Sequence, residues 1–196
     1  MKLMCSSFLL FLTFLSLSCD NGRGINSNPD DPTDLGEKHG KTATVMGVEV
    51  QYLEHQILEP KNASFKEIAV KYSVKNTTAD ILRFELRTEA SFSDGSGIYK
   101  SSLGGPLLKD INLEKDRWSR PFQRQHDIDK ENRWPSEIAP NGQMIGWQFS
   151  SVQEHIAKMK IKELATTIEV TNDKKMVTTT DIRSVPQRHL KLFVIE

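Results

Sequence analysis

The stretch Glu67–Asn76, EIAVKYSVKN, carries the clearest structural signal in the chain. Ile68, Val70, Tyr72 and Val74 recur at every second position, with Glu67, Lys71 and Lys75 among the residues of the opposite face. A period of two with β-branched and aromatic residues predicts a strand that buries one side. Asn76-Thr77-Thr78 then supplies turn chemistry at the strand exit.

The same texture extends outward in both directions. TATVMGVEVQYLE (Thr42–Glu54) alternates and predicts a strand, and ILRFELRTEASF (Ile81–Phe92) predicts either two strands or one long bulged strand with Leu82, Phe84 and Leu86 inward. SDGSG (Ser93–Gly97) is a turn signal. GQMIGWQFSSV (Gly142–Val152), KMKIKELATTIEVT (Lys158–Thr171) and HLKLFVIE (His189–Glu196) predict further strands, and TNDKKMVTTTDIRSVPQRH reads as a polar hairpin and loop before the last of them. SSVQEHIAKM and LKDINLEKDRW predict a helical turn or two each. Short strands between turns, with little helix, define an all-β antiparallel sandwich.

Three segments together, EIAVKYSVKNTTADIL, FSDGSGIYKS and IAPNGQMIGWQFS, resemble the telokin-like, immunoglobulin-like extracellular domains of bacterial lipoproteins and secreted proteins. The matching residues are Asn76 and Thr78, Asp94-Gly95 with Tyr99, and Pro140, Gly142, Gly146 and Phe149. The resemblance implies an immunoglobulin-like β-sandwich. Each motif also has a structural use: Gly95 and Gly142 permit turns with positive φ, Pro140 presets a turn, and Asn76 suits a strand exit. The chain departs from the family between Tyr99 and Ile138, a connection of nearly forty residues where the family has a much shorter one.

The first residues predict export. Lys2 gives a positive start and Phe8–Leu17 (FLLFLTFLSL) an apolar run of signal-peptide length, too short to cross a bilayer, which takes about 20 residues as a helix. LSLSC (Leu15–Cys19) resembles the lipobox of bacterial lipoproteins, in a looser form like those of spirochaetes and Bacteroidetes, because Ser16 stands where the common form has leucine. This implies cleavage before Cys19, a thioether-linked diacylglycerol on its sulfur and acylation of the new amino group. Two or more acyl chains anchor a protein stably, whereas one anchors it marginally. The alternative is ordinary signal cleavage that leaves Cys19 as a free thiol. Cys5 and Cys19 are the only cysteines, so the mature domain has no disulfide to build on. From Asp20 to Lys41 the chain is rich in Asn, Asp, Gly and Pro with little to bury, which predicts a flexible tether. The expected organisation is a signal peptide over 1–18, a tether over 19–41 and one sandwich domain over 42–196.

The chain has 196 residues, with 26 Lys plus Arg against 26 Asp plus Glu. This balance gives no net attraction to nucleic acid. His39, His55, His126, His155 and His189 have no metal-ligand spacing, DIDKEN (Asp127–Asn132) lacks the spacing of a calcium loop, and neither a G-x-S-x-G nor a P-loop motif is present. No cofactor and no metal are expected. An enzyme would need titratable groups converging in one concave site, and a pocket uniting His126 or His155 with two carboxylates would favour it. In the bacterial host that the lipobox resemblance implies, the sequons at Asn62 and Asn76 carry no weight.

Functional expectation centres on the long connection, Gly104–Glu137. Arg117, Trp118, Arg120, Phe122, Arg124, Arg133 and Trp134 are residue types that dominate binding hot spots. One reading is a binding loop for a protein or glycan partner; the other is that the aromatics cap one end of the sandwich while the charges pair in solvent. The chain is thus expected to be an exported lipoprotein, held on the cell membrane or outer membrane through Cys19, with a non-catalytic binding or accessory domain. The alternative is a secreted or surface-exposed adhesin or immune-modulating antigen.

Overall fold

A computed structural model describes residues 34–60, 63–171 and 188–195. The expected signal peptide, Cys19, the start of the expected tether and the polar stretch at 172–187 lie outside the described residues. The stretch EIAVKYSVKN forms most of β4 (Lys66–Asn76), an inner strand. It lies between β3 (Val48–Leu58) and β8 (Gln143–Val152), and β2 (Thr42–Val45) pairs with the outer edge of β3. Ile68, Val70, Tyr72 and Val74 are fully buried, as their spacing predicts.

Thr42–Glu54 is two strands rather than one. Met46 and Gly47 take φ of 47° and 80°, the left-handed pair that closes a two-residue hairpin and sets Val45 opposite Val48. The buried set changes parity at the turn, from Ala43 and Val45 to Val48, Val50 and Tyr52, but Met46 continues the apolar series of Val48, Val50 and Tyr52 backward and so hides the turn from a sequence reading. Gly47 cannot be larger, since a Cβ there would stand 2.2 Å from the Thr78 methyl.

The facing sheet holds β5 (Leu82–Ser93), one long strand with a register shift at Ser91–Phe92, then β9 (Lys160–Thr171) and β10 (Arg188–Ile195), all antiparallel. A short β7 (Glu137–Ile138) pairs with the start of β5. The sheets share β6 (Ile98–Lys109), which pairs with β5 over Ile98–Leu103 and with β8 from Gly104 onward. The crossing occurs where Gly105 takes φ 92°, so a glycine bends the strand from one sheet to the other. The order β3-β4-β8-β6 matches A-B-E-D of an immunoglobulin constant-type domain, and β5-β9-β10 matches C-F-G. The fold is an immunoglobulin-like antiparallel β-sandwich.

The tether boundary needs correction. Asp34–His39, placed in the tether by its polar composition, forms β1, which runs parallel to β10. Gly40 N–H donates to the Phe193 carbonyl, and the His39 ring stacks on Phe193 at 5.2 Å. The strand covers the edge of β10, whose backbone would otherwise stay unpaired; an edge cover that buries little needs no apolar pattern.

Between the sheets, a polar cluster replaces what a disulfide does in antibody domains. Tyr72 Oη on β4 lies 2.6 Å from Thr166 Oγ1 on β9 and 2.7 Å from Thr88 Oγ1 on β5. Thr88 donates to Gln148 Oε1, and Gln148 Nε2 donates to the Leu86 carbonyl at 2.7 Å. Strands β4 and β9 occupy the B and F places that an immunoglobulin disulfide joins. Burial pushes the Tyr72 phenol up to about 12, with the Thr166 and Thr88 hydrogen bonds working against the rise.

The residues that carry the family resemblance are structural. Asn76 Oδ1 accepts from the Thr78 N–H and hydroxyl, while its Nδ2 donates to the carbonyls of Asp80, Ile138 and Ala139. One side chain thereby ties the β4 exit to β7. At Pro140-Asn141-Gly142 the positive φ falls on Asn141, at 54°, and not on Gly142. Gly142 is needed because a Cβ would sit 2.9 Å from the Ala139 carbonyl.

Candidate functional site

The connection after Tyr99 is shorter than its sequence suggests, because β6 continues to Lys109. Beyond β6 the chain is helical: a π-helical turn over Leu113–Trp118, capped by Asn112 Oδ1 accepting from Lys115 N–H, then α1 (Phe122–Glu131). The first lies where the sequence predicts a helical turn; α1 is not anticipated by it. A short helix with Pro121 just before it has little apolar periodicity to reveal it. Glu154–Ala157 forms α2, within the second predicted helical stretch.

This insert lies on the outer face of β4 and β8. Leu113 and Trp118 bury against Ala69 and Trp147, with Ile111, Leu58 and Phe149 packed around them. Each large side chain buried in this way stabilises the contact by about 1.5–3 kcal/mol. At its near end Lys71 Nζ donates to Asp110 Oδ1 at 2.8 Å and stands 5.1 Å from the centre of the Trp147 ring. Burial pulls the Lys71 ammonium down, but the hydrogen bond and charge of Asp110, with Glu54 behind them, hold it above its ordinary value.

Arg117 fastens the insert. Its Nη1 donates to Glu67 Oε2, and its Nε and Nη2 donate to Asp129 Oδ1 and Oδ2 at 2.9 and 3.0 Å. Its guanidinium lies 4.0 Å over the Phe149 ring. Trp118 Nε1 donates to the same Glu67 Oε2 at 2.8 Å. The side chains of Arg117 and Glu67 are 5% and 4% exposed, while Asp129 is 23% exposed. Burial lowers the Arg117 pKa, yet Asp129 and Glu67 outweigh it and keep the guanidinium above its ordinary value.

Two of the seven residues expected to contact a partner are therefore interior. Arg117 and Trp118 hold the insert to the sheet, closer to the capping alternative than to the binding one, although they cover a sheet face and not an end. Trp134 is half-buried, donates from Nε1 to the Ile145 carbonyl and has Lys109 over its ring. Arg120, Arg124 and Arg133 are exposed, and Phe122 opens α1. Asp127–Asn132 is helix and its C-cap, not a cation loop, with Asp129 engaged by Arg117.

Between α1 and the sheet lies a cavity of about 310 Å³, lined by Glu67, Arg117, Asp129, Gln125, His126 and Arg133, with Pro106, Leu108 and Phe149 as apolar walls. Gln125 is 1% exposed, and its Oε1 has no hydrogen-bond partner among the described residues. A buried carbonyl oxygen left this way costs about 1–3 kcal/mol. His126 does meet two carboxylates here, the grouping an enzyme would need. Asp129, however, is bidentate on Arg117, and His126 hydrogen-bonds neither carboxylate among the described residues.

Glu67 and Gln125 are site residues that the sequence does not announce. Glu67 reads as the solvent side of its strand, and the signal that is present, Arg and Trp crowded in a long insert, points to the covering segment and not to the face it covers.

The fold and this covered face define an immunoglobulin-like β-sandwich protein with a helical insert on one sheet. No protein-family model matches the chain, and no curated protein matches it. Among solved structures it is similar to an uncharacterised β-sandwich protein from Clostridium difficile 630, at 14% identity over 81% of this chain and 93% of that one, with TM-score 0.41. It is also similar to a conserved hypothetical protein from Bacillus anthracis, at 10% identity over 65% and 86%, with TM-score 0.37. The strand order, not these likenesses, sets the class.

Proposed function

We propose that this chain is a bacterial envelope lipoprotein whose sandwich does non-catalytic binding work, of the telokin-like kind that its motifs resemble. The observation that carries the binding reading is the insert: a helical cover fixed on an outer sheet face, enclosing a cavity and presenting Arg120, Arg124 and Arg133 outward. A protein or glycan partner meets this surface. Anchoring rests on the LSLSC sequence and on the stable attachment that two or more acyl chains give.

Intact mass and detergent-phase partitioning test the anchor, with wild type and Cys19→Ala expressed side by side in a bacterium. The expected wild-type protein begins at Cys19, carries acyl mass and enters the detergent phase, and the variant does none of these. A soluble, unacylated wild type would overturn the anchor and leave the secreted adhesin or antigen reading in its place.

A further inference from the structure

The geometry points to a binding site for a primary ammonium in the cavity between α1 and the outer face of β4 and β8. The inference deepens the binding reading above and rests on it, but not on the lipid anchor. Three buried or half-buried charges meet at this cavity: the carboxylates of Glu67 and Asp129 and the guanidinium of Arg117. Among these shielded groups, two negative against one positive leave a local surplus of negative charge. Arg133 also lines the cavity, but it is exposed and screened by water, whereas Glu67 is shielded.

The hydrogen-bond inventory shows the same imbalance. Both donors to Glu67, from Arg117 and Trp118, use Oε2, and Oε1 has no partner among the described residues. Gln125 Oε1 is unpartnered among the described residues as well, with Gln125 Nε2 turned to the Arg120 carbonyl at 3.4 Å. The Arg117 guanidinium, by contrast, donates from Nε, Nη1 and Nη2 to carboxylates. The buried side of the cavity thus offers acceptors and a carboxylate, with the Arg117 guanidinium already engaged and Arg133 standing at the exposed side.

This imbalance selects the ligand. A quaternary ammonium has no N–H to give. A guanidinium fork prefers both oxygens of one carboxylate, and Glu67 has only one unoccupied. An ammonium places three donors around one charge and satisfies single oxygens on different elements. Pro106 and Leu108 provide apolar wall for a methylene stem, and a volume of about 310 Å³ is at the small end of ligand sites. The ammonium belongs either to a free amine or to a lysine side chain of a partner.

The test uses the full chain carrying Cys19→Ala, so that failure of the anchor and failure of the ligand assignment read out separately. Amide chemical shifts are followed while n-butylamine, Nα-acetyl-lysine methylamide and its Nζ-acetylated counterpart are titrated to roughly 10 mM, enough to fill a millimolar site. The two charged probes are expected to shift amides around Glu67, Gln125 and Gly104, and the neutral probe to shift none. Stronger binding by the lysine derivative assigns the ammonium to a partner side chain; stronger binding by butylamine assigns it to a free amine.

Gln125→Met removes the orphaned oxygen together with the long Nε2 bond to the Arg120 carbonyl, leaves the Arg117 ion pairs in place, and is expected to weaken the charged probes roughly tenfold. Gly104→Leu adds a side chain where a Cβ meets nothing within 4 Å and is expected to obstruct the cavity while leaving the ion pairs intact. No shift with either charged probe, equal binding of the Nζ-acetylated probe, or unchanged affinity in both variants would overturn the assignment.

Discussion

Replacing Arg117 by methionine tests whether the insert is held by charge or by apolar contact. Methionine keeps much of the stem but removes the three donors that meet Glu67 and Asp129. Asp129, at 23% exposure, can turn to water, so its loss contributes little. Glu67 has little room to do so; at 4% exposure it would keep only the Trp118 Nε1 donor from the protein. Truncating one partner of a buried pair costs about 3–5 kcal/mol, and the surviving Trp118 bond places this case near the lower end. Urea unfolding followed by tryptophan fluorescence measures the loss, with Trp118 and Trp147 both in the affected layer. Adding Glu67→Gln in the Arg117→Met background removes the stranded charge and is expected to recover roughly 2 kcal/mol, a coupling that independent sites do not show. A single-variant loss under about 1 kcal/mol, or strict additivity in the cycle, would refute the reasoning and leave Leu113 and Trp118 packing as the fastening.

The same structure sets three further outcomes. Tyr72→Phe breaks the link between β4 and β9 and is expected to cost about 1–2 kcal/mol at neutral pH. Because the native phenol is raised to about 12 from 10.0, the unfolded chain loses this proton first; wild-type stability should fall by about 1.4 kcal/mol per pH unit between those values, a component absent from the phenylalanine variant in alkaline urea titrations. Gly146→Ala would drive a Cβ to 1.8 Å from the Leu108 carbonyl, so β6 must part from β8; a loss above about 3 kcal/mol in thermal unfolding is expected, and a near-neutral result would mean that β6 is displaced easily. Asn76→Ala removes donors to three carbonyls at a fully buried position, with an expected cost of about 2–3 kcal/mol and faster hydrogen exchange at Ile138 and Asp80; unchanged exchange there would count against the tie to β7.

Much of the sandwich is legible in the sequence because a strand's two faces are separated by its own pleat, so β4, β5, β8, β9 and β10 declare themselves residue by residue. The Met46–Gly47 hairpin escapes because Met46 is apolar and extends the series of Val48, Val50 and Tyr52 back through the turn, which masks the change of parity between Val45 and Val48. In β1 the cause is different: it contributes backbone hydrogen bonds to β10, and backbone pairing leaves no mark on side-chain composition. Crowding of Arg and Trp locates the insert correctly, but composition does not distinguish an arginine that reaches out from one that turns inward.

By itself, then, the sequence determined an all-β chain, its principal strands, a cysteine-free domain and an unusual segment after Tyr99. Only the tertiary structure decided that Glu67, on the polar side of its strand, is buried, and that Arg117 and Asp129 meet at this cavity from positions 50 and 62 residues further on. The physical reason is that alternation fixes which way a side chain points relative to its own strand. Whether that direction leads to water or to a covering helix depends on where a distant segment settles, and there a carboxylate becomes either a solvated surface group or the wall of a cavity.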